Sequence, residues 1–154
     1  MQKIVFLDRD GTISKEYSDE EWKNITTPIL LNGTIEGLKT ICDNGYEIII
    51  LTNQNLISDG IITEKQFNNY NDKLIEVLSQ NGIRILKTYY CPHNDNDNCN
   101  CKKPKTGMID EALKDYNIDI KNSFYIGDSY SDYNLAKKIN MNFFVIYYSC
   151  FMLK

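Results

Sequence analysis

The sequence predicts an α/β fold, a doubly wound, Rossmann-like sheet of five parallel strands with helices packed on it. Three observations predict it. Short apolar runs, Ile4-Val5-Phe6-Leu7 and Ile48-Ile49-Ile50-Leu51 among them, read as strands buried on both faces. Segments with apolar residues three and four apart alternate with those runs, the rhythm of βαβ units with right-handed crossovers. Polar sets follow the strands or lead into helices: Asp8/Asp10, Thr52/Asn53, Lys102/Lys103 and Asp128. In a parallel sheet these positions share one edge, the edge at which open α/β sheets bind ligands.

The first strand covers 3–7 and stops at Asp8, with Gly11 and Thr12 breaking it. An irregular stretch, 14–33, follows and carries Glu16, Asp19, Glu20, Glu21 and Trp22. Loops of that length are functional or disordered. Residues 34–44 form a helix with Ile35, Leu38, Ile41 and Cys42 on its apolar face, and Gly45 stops it. The second strand is 46–51. Thr63 and Gln66 then make a capping box for a helix whose inner face is Phe67, Tyr70, Leu74, Val77 and Leu78, ending at Gly82. The third strand is 84–90, and 91–103 is a loop without periodicity. A helix over 108–116 turns Met108, Ala112, Leu113 and Tyr116 inward. The fourth strand is 123–126, a helix covers 131–139, and the fifth strand is 142–148. The spatial order puts the first strand centrally, the second and third to one side and the fourth and fifth to the other.

With 154 residues the chain is expected to form one domain, 1–154, with a core of its own. Its net charge of −4 and the lack of a basic block argue against a broad grip on nucleic acid. The longest apolar run, 143–153, is shorter than the roughly 20 residues that span a bilayer, so no membrane partner is expected. A strand ending in acids at the N-terminus is not a signal peptide. Of five cysteines, Cys91, Cys99 and Cys101 crowd around the single histidine, His93. That spacing, C-x-H then C-x-C, suits one tetrahedral Zn²⁺ better than disulfides, and four protein ligands make it structural. The expected location is the cytoplasm and the expected state a monomer.

Two carboxylates at i and i+2 suit a division of labour: Asp8 attacks as nucleophile while Asp10 protonates the leaving group. An ordinary turn also carries such acid pairs, so the pair alone is weak. Three carboxylates gathered at one edge repel each other unless a hard cation joins them, and Mg²⁺ takes oxygen ligands together with a substrate phosphate. A cation, a lysine and hydroxyl or amide donors around a carboxylate nucleophile make a phosphoryl-transfer site.

D-R-D-G-T-I, then T-N-Q, then K-K-P-K, then G-D-S-x-S-D resemble the four motifs of the haloacid dehalogenase-like (HAD) superfamily, in order and along nearly the whole chain. No segment between motifs is long enough for a cap domain. The chain resembles the capless branch that contains histidinol-phosphate phosphatases and D-glycero-D-manno-heptose-1,7-bisphosphate phosphatases, which also carries a C-x-H…C-x-C zinc loop. The resemblance implies a Mg²⁺-dependent phosphomonoesterase of small phosphorylated metabolites. It implies that Asp8 forms an aspartyl-phosphate and that Asp10 is acid and base and lends its carbonyl to Mg²⁺. Thr52 and Asn53 hold the phosphoryl group and Lys103 balances its charge. Asp128 completes the Mg²⁺ ligands Asp8, Asp10 and Asp128, with Asp132 supporting them.

Two positions depart from the family pattern. Lys102 stands where relatives carry Arg, and Ser129 where they carry a basic residue; both are expected near the substrate, with Asn53. Arg grips phosphate bidentately and Lys does not, so the substrate is affected more than the chemistry. A heptose bisphosphate is the first expectation. Histidinol phosphate is second, since Glu16, Asp19, Glu20 and Glu21 could meet its cationic end. A polynucleotide 3′-phosphatase and a non-catalytic phosphate-binding protein are further alternatives.

Overall fold

The structure, a computed structural model, describes residues 1–146. Its sheet has five parallel strands: β1 (Ile4–Leu7), β2 (Glu47–Asn53), β3 (Ile85–Cys91), β4 (Phe124–Gly127) and β5 (Asn142–Val145). They lie in the order β3-β2-β1-β4-β5, as expected. In register, Leu7 stands beside Ile50 on one side and Ile126 on the other. Residues 147–148 of the expected fifth strand, and most of the apolar tail, lie outside the described residues.

Period-two alternation divides the core into two layers. Ile4, Phe6, Ile49, Leu51 and Tyr125 face one cluster, where α4 (Gly107–Asp115) brings Met108, Ile109 and Ala112 and α5 (Tyr130–Lys138) brings Leu135 and Ala136. Val5, Leu7, Ile48 and Ile50 face the other, covered by Leu38 of α2 (Thr34–Asp43) and Leu74 and Leu78 of α3 (Glu64–Gln80). The sheet is thus buried on both faces, which explains the unbroken apolar strands. The chain switches direction across β1, placing a crevice at the C-terminal end of β1 between β2 and β4.

Local chemistry accounts for the helix ends. The Thr63 hydroxyl accepts the Gln66 N–H at 3.1 Å while the Thr63 N–H donates to Gln66 Oε1 at 2.8 Å, closing the capping box. Ser129 caps α5 in the same way.

Three details differ from the sequence expectation. The 14–33 stretch contains a short helix, α1 (Asp19–Trp22), whose Ser18 N–H donates to the Glu21 carboxylate. The first zinc candidate, Cys91, belongs to the end of β3, and a 3₁₀ turn (Asp95–Asp97) interrupts the loop after it. Leu113 is 42 % exposed while Ile109 is buried, so the inner face of α4 is Met108, Ile109 and Ala112. Among the described residues, no helix is long and apolar enough to cross a membrane.

Candidate active site and metal centre

The crevice is an open cleft of about 300 Å³ at the strand ends, lined by Asp8, Asp10, Thr52, Asn53, Lys103, Asp128 and Ser129 among others. Each arrives for a local reason. Asp8 is the first residue past β1, its N–H bonded to the Ile126 carbonyl at 2.9 Å. Thr52 and Asn53 are the last residues of β2, and Asp128 follows β4 directly.

Gly11, at φ +81°, lets the chain turn back under Asp128: a Cβ there would stand 2.2 Å from the Asp128 carboxylate. Both the backbone conformation and the close approach therefore require glycine. The Thr12 hydroxyl donates to Asp128 Oδ1 at 3.2 Å.

Lys103 is the electrostatic centre. It is buried, and its ammonium donates to Asp8 Oδ1 at 2.6 Å, Asp132 Oδ1 at 2.7 Å and the Leu51 carbonyl at 3.0 Å, which uses all three of its protons. Asp132, fully buried, also accepts from the Tyr125 hydroxyl at 2.9 Å and from the Ser129 N–H and hydroxyl at 3.1 and 2.6 Å. It holds Lys103 from behind. Gly127 leaves room for it, since a Cβ there would sit 2.6 Å from the Asp132 Cβ.

Asn53 ties down the lysine's own backbone: its Oδ1 accepts the Lys103 N–H at 2.9 Å and its Nδ2 donates to the Lys103 carbonyl at 3.2 Å. Lys102 points the other way, onto Asp95 at 2.8 Å, and does not line the cleft. Ser129 lines the cleft but spends its hydroxyl on Asp132 and Ser131.

Burial pushes the Asp8 carboxyl up to about 8; Lys103 opposes the rise, and Asp132 and Asp10 add to it. Burial pulls the Lys103 ammonium down, but Asp8 and Asp132 outweigh it and the net direction is up. Burial thus holds the Asp8 proton to higher pH in the native state than in the unfolded chain, where the value is near 3.8. The native state then binds more protons between those two values, and stability falls as pH rises through them. Without added divalent cations, the thermal midpoint is expected to drop between about pH 5 and about pH 8, and Asp8→Asn to flatten that slope. Parallel slopes for the two proteins would exclude Asp8 as the source.

Carboxylate oxygens of Asp8, Asp128 and Asp132 lie within 4.8 Å of one another, a hard-oxygen set that fits Mg²⁺. Because Asp132 is held inward by Lys103, Tyr125 and Ser129, Asp8 and Asp128 are the pair turned to the cleft. Asp10 contributes no side-chain oxygen to this set; its carboxylate is bound by Arg9, Gln54 and Ser14.

The second centre lies at the end of β3. Donor atoms of Cys91, His93, Cys99 and Cys101 all fall within 4.8 Å of one another, and the three cysteines are free thiols. Three sulfurs and an imidazole at that spacing fit a tetrahedral soft-metal site. The loop is latched to its neighbour: the Ser58 hydroxyl donates to Asp97 at 2.5 Å and Asn94 Nδ2 to Asp59 at 3.0 Å. The 55–59 segment so held continues into Asn55 and Leu56 of the cleft wall.

Sequence reasoning gave no role to Gln54, Arg9 or Tyr125. Gln54 lay in plain view within T-N-Q; its amide donates to Asp10 at 2.8 Å and to the Thr52 hydroxyl at 2.9 Å.

Comparisons with known proteins agree with this geometry. The family described as polynucleotide kinase 3 phosphatase matches residues 3–146. A probable D-glycero-D-manno-heptose-1,7-bisphosphate 7-phosphatase from Thermoplasma volcanium is 40 % identical over 142 residues, 92 % of this chain and 96 % of that protein. The histidine biosynthesis bifunctional protein HisB of Legionella pneumophila is 34 % identical over 95 % of this chain, but the chain spans only 42 % of HisB. In fold, the chain matches the crystal structure of a D,D-heptose 1,7-bisphosphate phosphatase from B. bronchiseptica, complexed with magnesium and phosphate. The TM-score is 0.83 at 24 % identity, covering 94 % of this chain and 80 % of that one. With one family matched from residue 3 to 146 and a relative 40 % identical along nearly its whole length, the chain belongs to the haloacid dehalogenase-like phosphatases, in the branch of the heptose-bisphosphate phosphatases and HisB.

Proposed function

We propose that this chain, acting as a single domain, is a Mg²⁺-dependent phosphomonoesterase of a small phosphorylated metabolite, with a heptose 1,7-bisphosphate as first substrate. The observation that carries the reading is the buried Asp8–Lys103–Asp132 chain opening into a cleft walled by Asp128 and Thr52. Asp8 attacks phosphorus and the P–O bond to the leaving group breaks. Asp10 gives its proton to the departing oxygen, then takes one from the water that hydrolyses the aspartyl-phosphate. Thr52 borders the phosphoryl group, Asn53 holds the Lys103 backbone beside it, and Lys103 exchanges one of its carboxylate contacts for the phosphoryl oxygens. Asp8, Asp128 and the Asp10 carbonyl would hold Mg²⁺, which would supply positive charge to the phosphoryl oxygens.

The relative from Thermoplasma volcanium supports the sugar bisphosphate. The family description names a polynucleotide phosphatase, but the chain's net charge of −4 suits a small substrate better than a nucleic-acid backbone. One observation favours histidinol phosphate as a second reading. Glu16, Asp19, Tyr17 and Trp22 line the cleft mouth, acids and rings that suit a cationic imidazole. Burial, then Asp128 and Asp10, raise the Glu16 pKa, which marks how densely acidic that mouth is. Measuring kcat/KM for both compounds with Mg²⁺ decides between them. A preference for the heptose bisphosphate is expected, and a tenfold preference for histidinol phosphate, about 1.4 kcal/mol of transition-state binding, would overturn it.

The Cys91–His93–Cys99–Cys101 centre is proposed to hold structural Zn²⁺, its thiols suiting the reducing cytoplasm. Elemental analysis of protein purified without chelator is expected to give about one zinc per chain. Cys99→Ser should lower that content and raise KM through the latched 55–59 wall. A disulfide at Cys91 or Cys101 in freshly reduced protein would reject the centre. Since one chain's residues form the whole cleft, a monomer is the proposed working unit.

A further inference from the structure

Arg9 stands between the two aspartates of the first motif, yet nothing in the chemistry above uses it. It is 1 % exposed and ranks first among the fully buried side chains by size. Its guanidinium lies in a box of three aromatic rings, 4.7 Å from the Tyr70 ring centre, 5.2 Å from Phe67 and 5.7 Å from Trp22. The box is assembled from distant parts of the chain: Phe67 and Tyr70 come from α3, and Trp22 from α1, whose Asp19 also lines the cleft.

A buried cation needs a counter-charge, and Arg9 takes Asp10. Nε donates to Asp10 Oδ1 at 3.0 Å and Nη2 to Oδ2 at 2.8 Å, a two-point fork that fixes the plane of the carboxylate. Among the described residues Nη1 has no hydrogen-bond partner, and the guanidinium is left to the ring faces there. The other contacts to Asp10, from Gln54 at 2.8 Å and Ser14 at 3.3 Å, are single. Either can yield to a leaving-group oxygen while the fork stays in place.

We infer that Arg9 is the positioning residue for Asp10, its guanidinium fixed by the Trp22–Phe67–Tyr70 box so that the carboxyl is presented to the leaving group in one orientation. This rests on the proposed role of Asp10 as acid and base. The consequence is selective. Loss of orientation costs rate where the leaving group needs a proton, and little where it departs readily as an anion.

The test compares kcat/KM of wild type, Arg9→Met and Asp10→Asn on p-nitrophenyl phosphate and on a simple alkyl phosphate, with Mg²⁺. Arg9→Met is expected to lose at least about tenfold more on the alkyl ester than on the aryl ester, in the same direction as Asp10→Asn. Arg9→Lys keeps the charge among the rings but not the fork, so it provides the same reading should Arg9→Met not fold, and the same split is expected. Equal losses on both esters, or no loss, in the Arg9 variants while Asp10→Asn splits them would overturn the inference and leave the proposed reaction standing. If Asp10→Asn itself fails to split the two esters, the role of Asp10 is wrong and the inference falls with it.

Discussion

Asp8→Asn is expected to lower turnover by at least about 10⁴-fold while the protein stays folded. The amide keeps the shape of the carboxylate but cannot attack phosphorus, so the covalent route is closed. The surroundings tolerate the change. Lys103 keeps Asp132 and the Leu51 carbonyl as partners, and the strands beneath, β1 and β2, are buried independently of residue 8. A neutral amide also avoids the burial cost, and behind it the repulsion from Asp132, that raise the Asp8 carboxyl. The variant should therefore melt no lower than wild type above neutral pH. Phosphate release from p-nitrophenyl phosphate, with circular dichroism as the folding control, reads both halves. Wild-type turnover in a folded Asp8→Asn protein would sink the nucleophile assignment.

Lys103→Met should cost both stability and activity. The substitution keeps the length of the stem but leaves Asp8 and Asp132 facing one another with no cation, both buried. Removing one partner of a buried ion pair costs about 3–5 kcal/mol, because the remaining charge has no solvent to turn to. Here two acids are stranded, and the sheet edge can relax only by protonating one of them. Stability should fall by several kcal/mol at neutral pH and recover in part as the solution is acidified, opposite to ordinary acid denaturation. Chemical denaturation at about pH 5 and about pH 8 measures it. A loss of less than about 1 kcal/mol at both values would mean that the lysine is an ordinary solvated cation.

Much of the fold was legible because burial on both faces leaves a plain mark: unbroken runs of Ile, Val, Leu and Phe bounded by polar residues. The strand ends were legible for the same reason. The apolar run stops at the edge of the sheet: Asp8 and Asp128 come directly after their strands, and Thr52 comes after the apolar run as one of the last two residues of β2. The cysteine–histidine cluster was legible from spacing alone, since Cys91, His93, Cys99 and Cys101 lie within one short segment and their donor atoms do come together. Residues whose meaning depends on distant partners were not. Arg9 reads as a surface charge until Trp22, Phe67 and Tyr70 are seen around it, and two of those rings sit on a helix face that looks like ordinary core. Lys102 stands where the resemblance puts a substrate-side residue, but in the turn that carries it its ammonium pairs with Asp95 and it does not line the cleft. Asn53 was assigned to the phosphoryl group on motif order, whereas its amide is committed on both sides to the Lys103 backbone.

That double contact would make the two centres partners in one equilibrium. Lys103 is fixed at its backbone by Asn53 and at its ammonium by Asp8 and Asp132, while the segment just before it carries Cys99 and Cys101. A cation on the four loop donors would restrain the same stretch of chain that carries Lys103 to the cleft. Coupling of this kind is reciprocal: whatever factor the loop cation adds to anion affinity, the anion adds to cation affinity. Inorganic phosphate should therefore slow the removal of the loop metal by a chelator, and stripped protein should bind phosphate more weakly by the same ratio. The cleft and the loop, distinct in their chemistry, would then answer to a single binding polynomial.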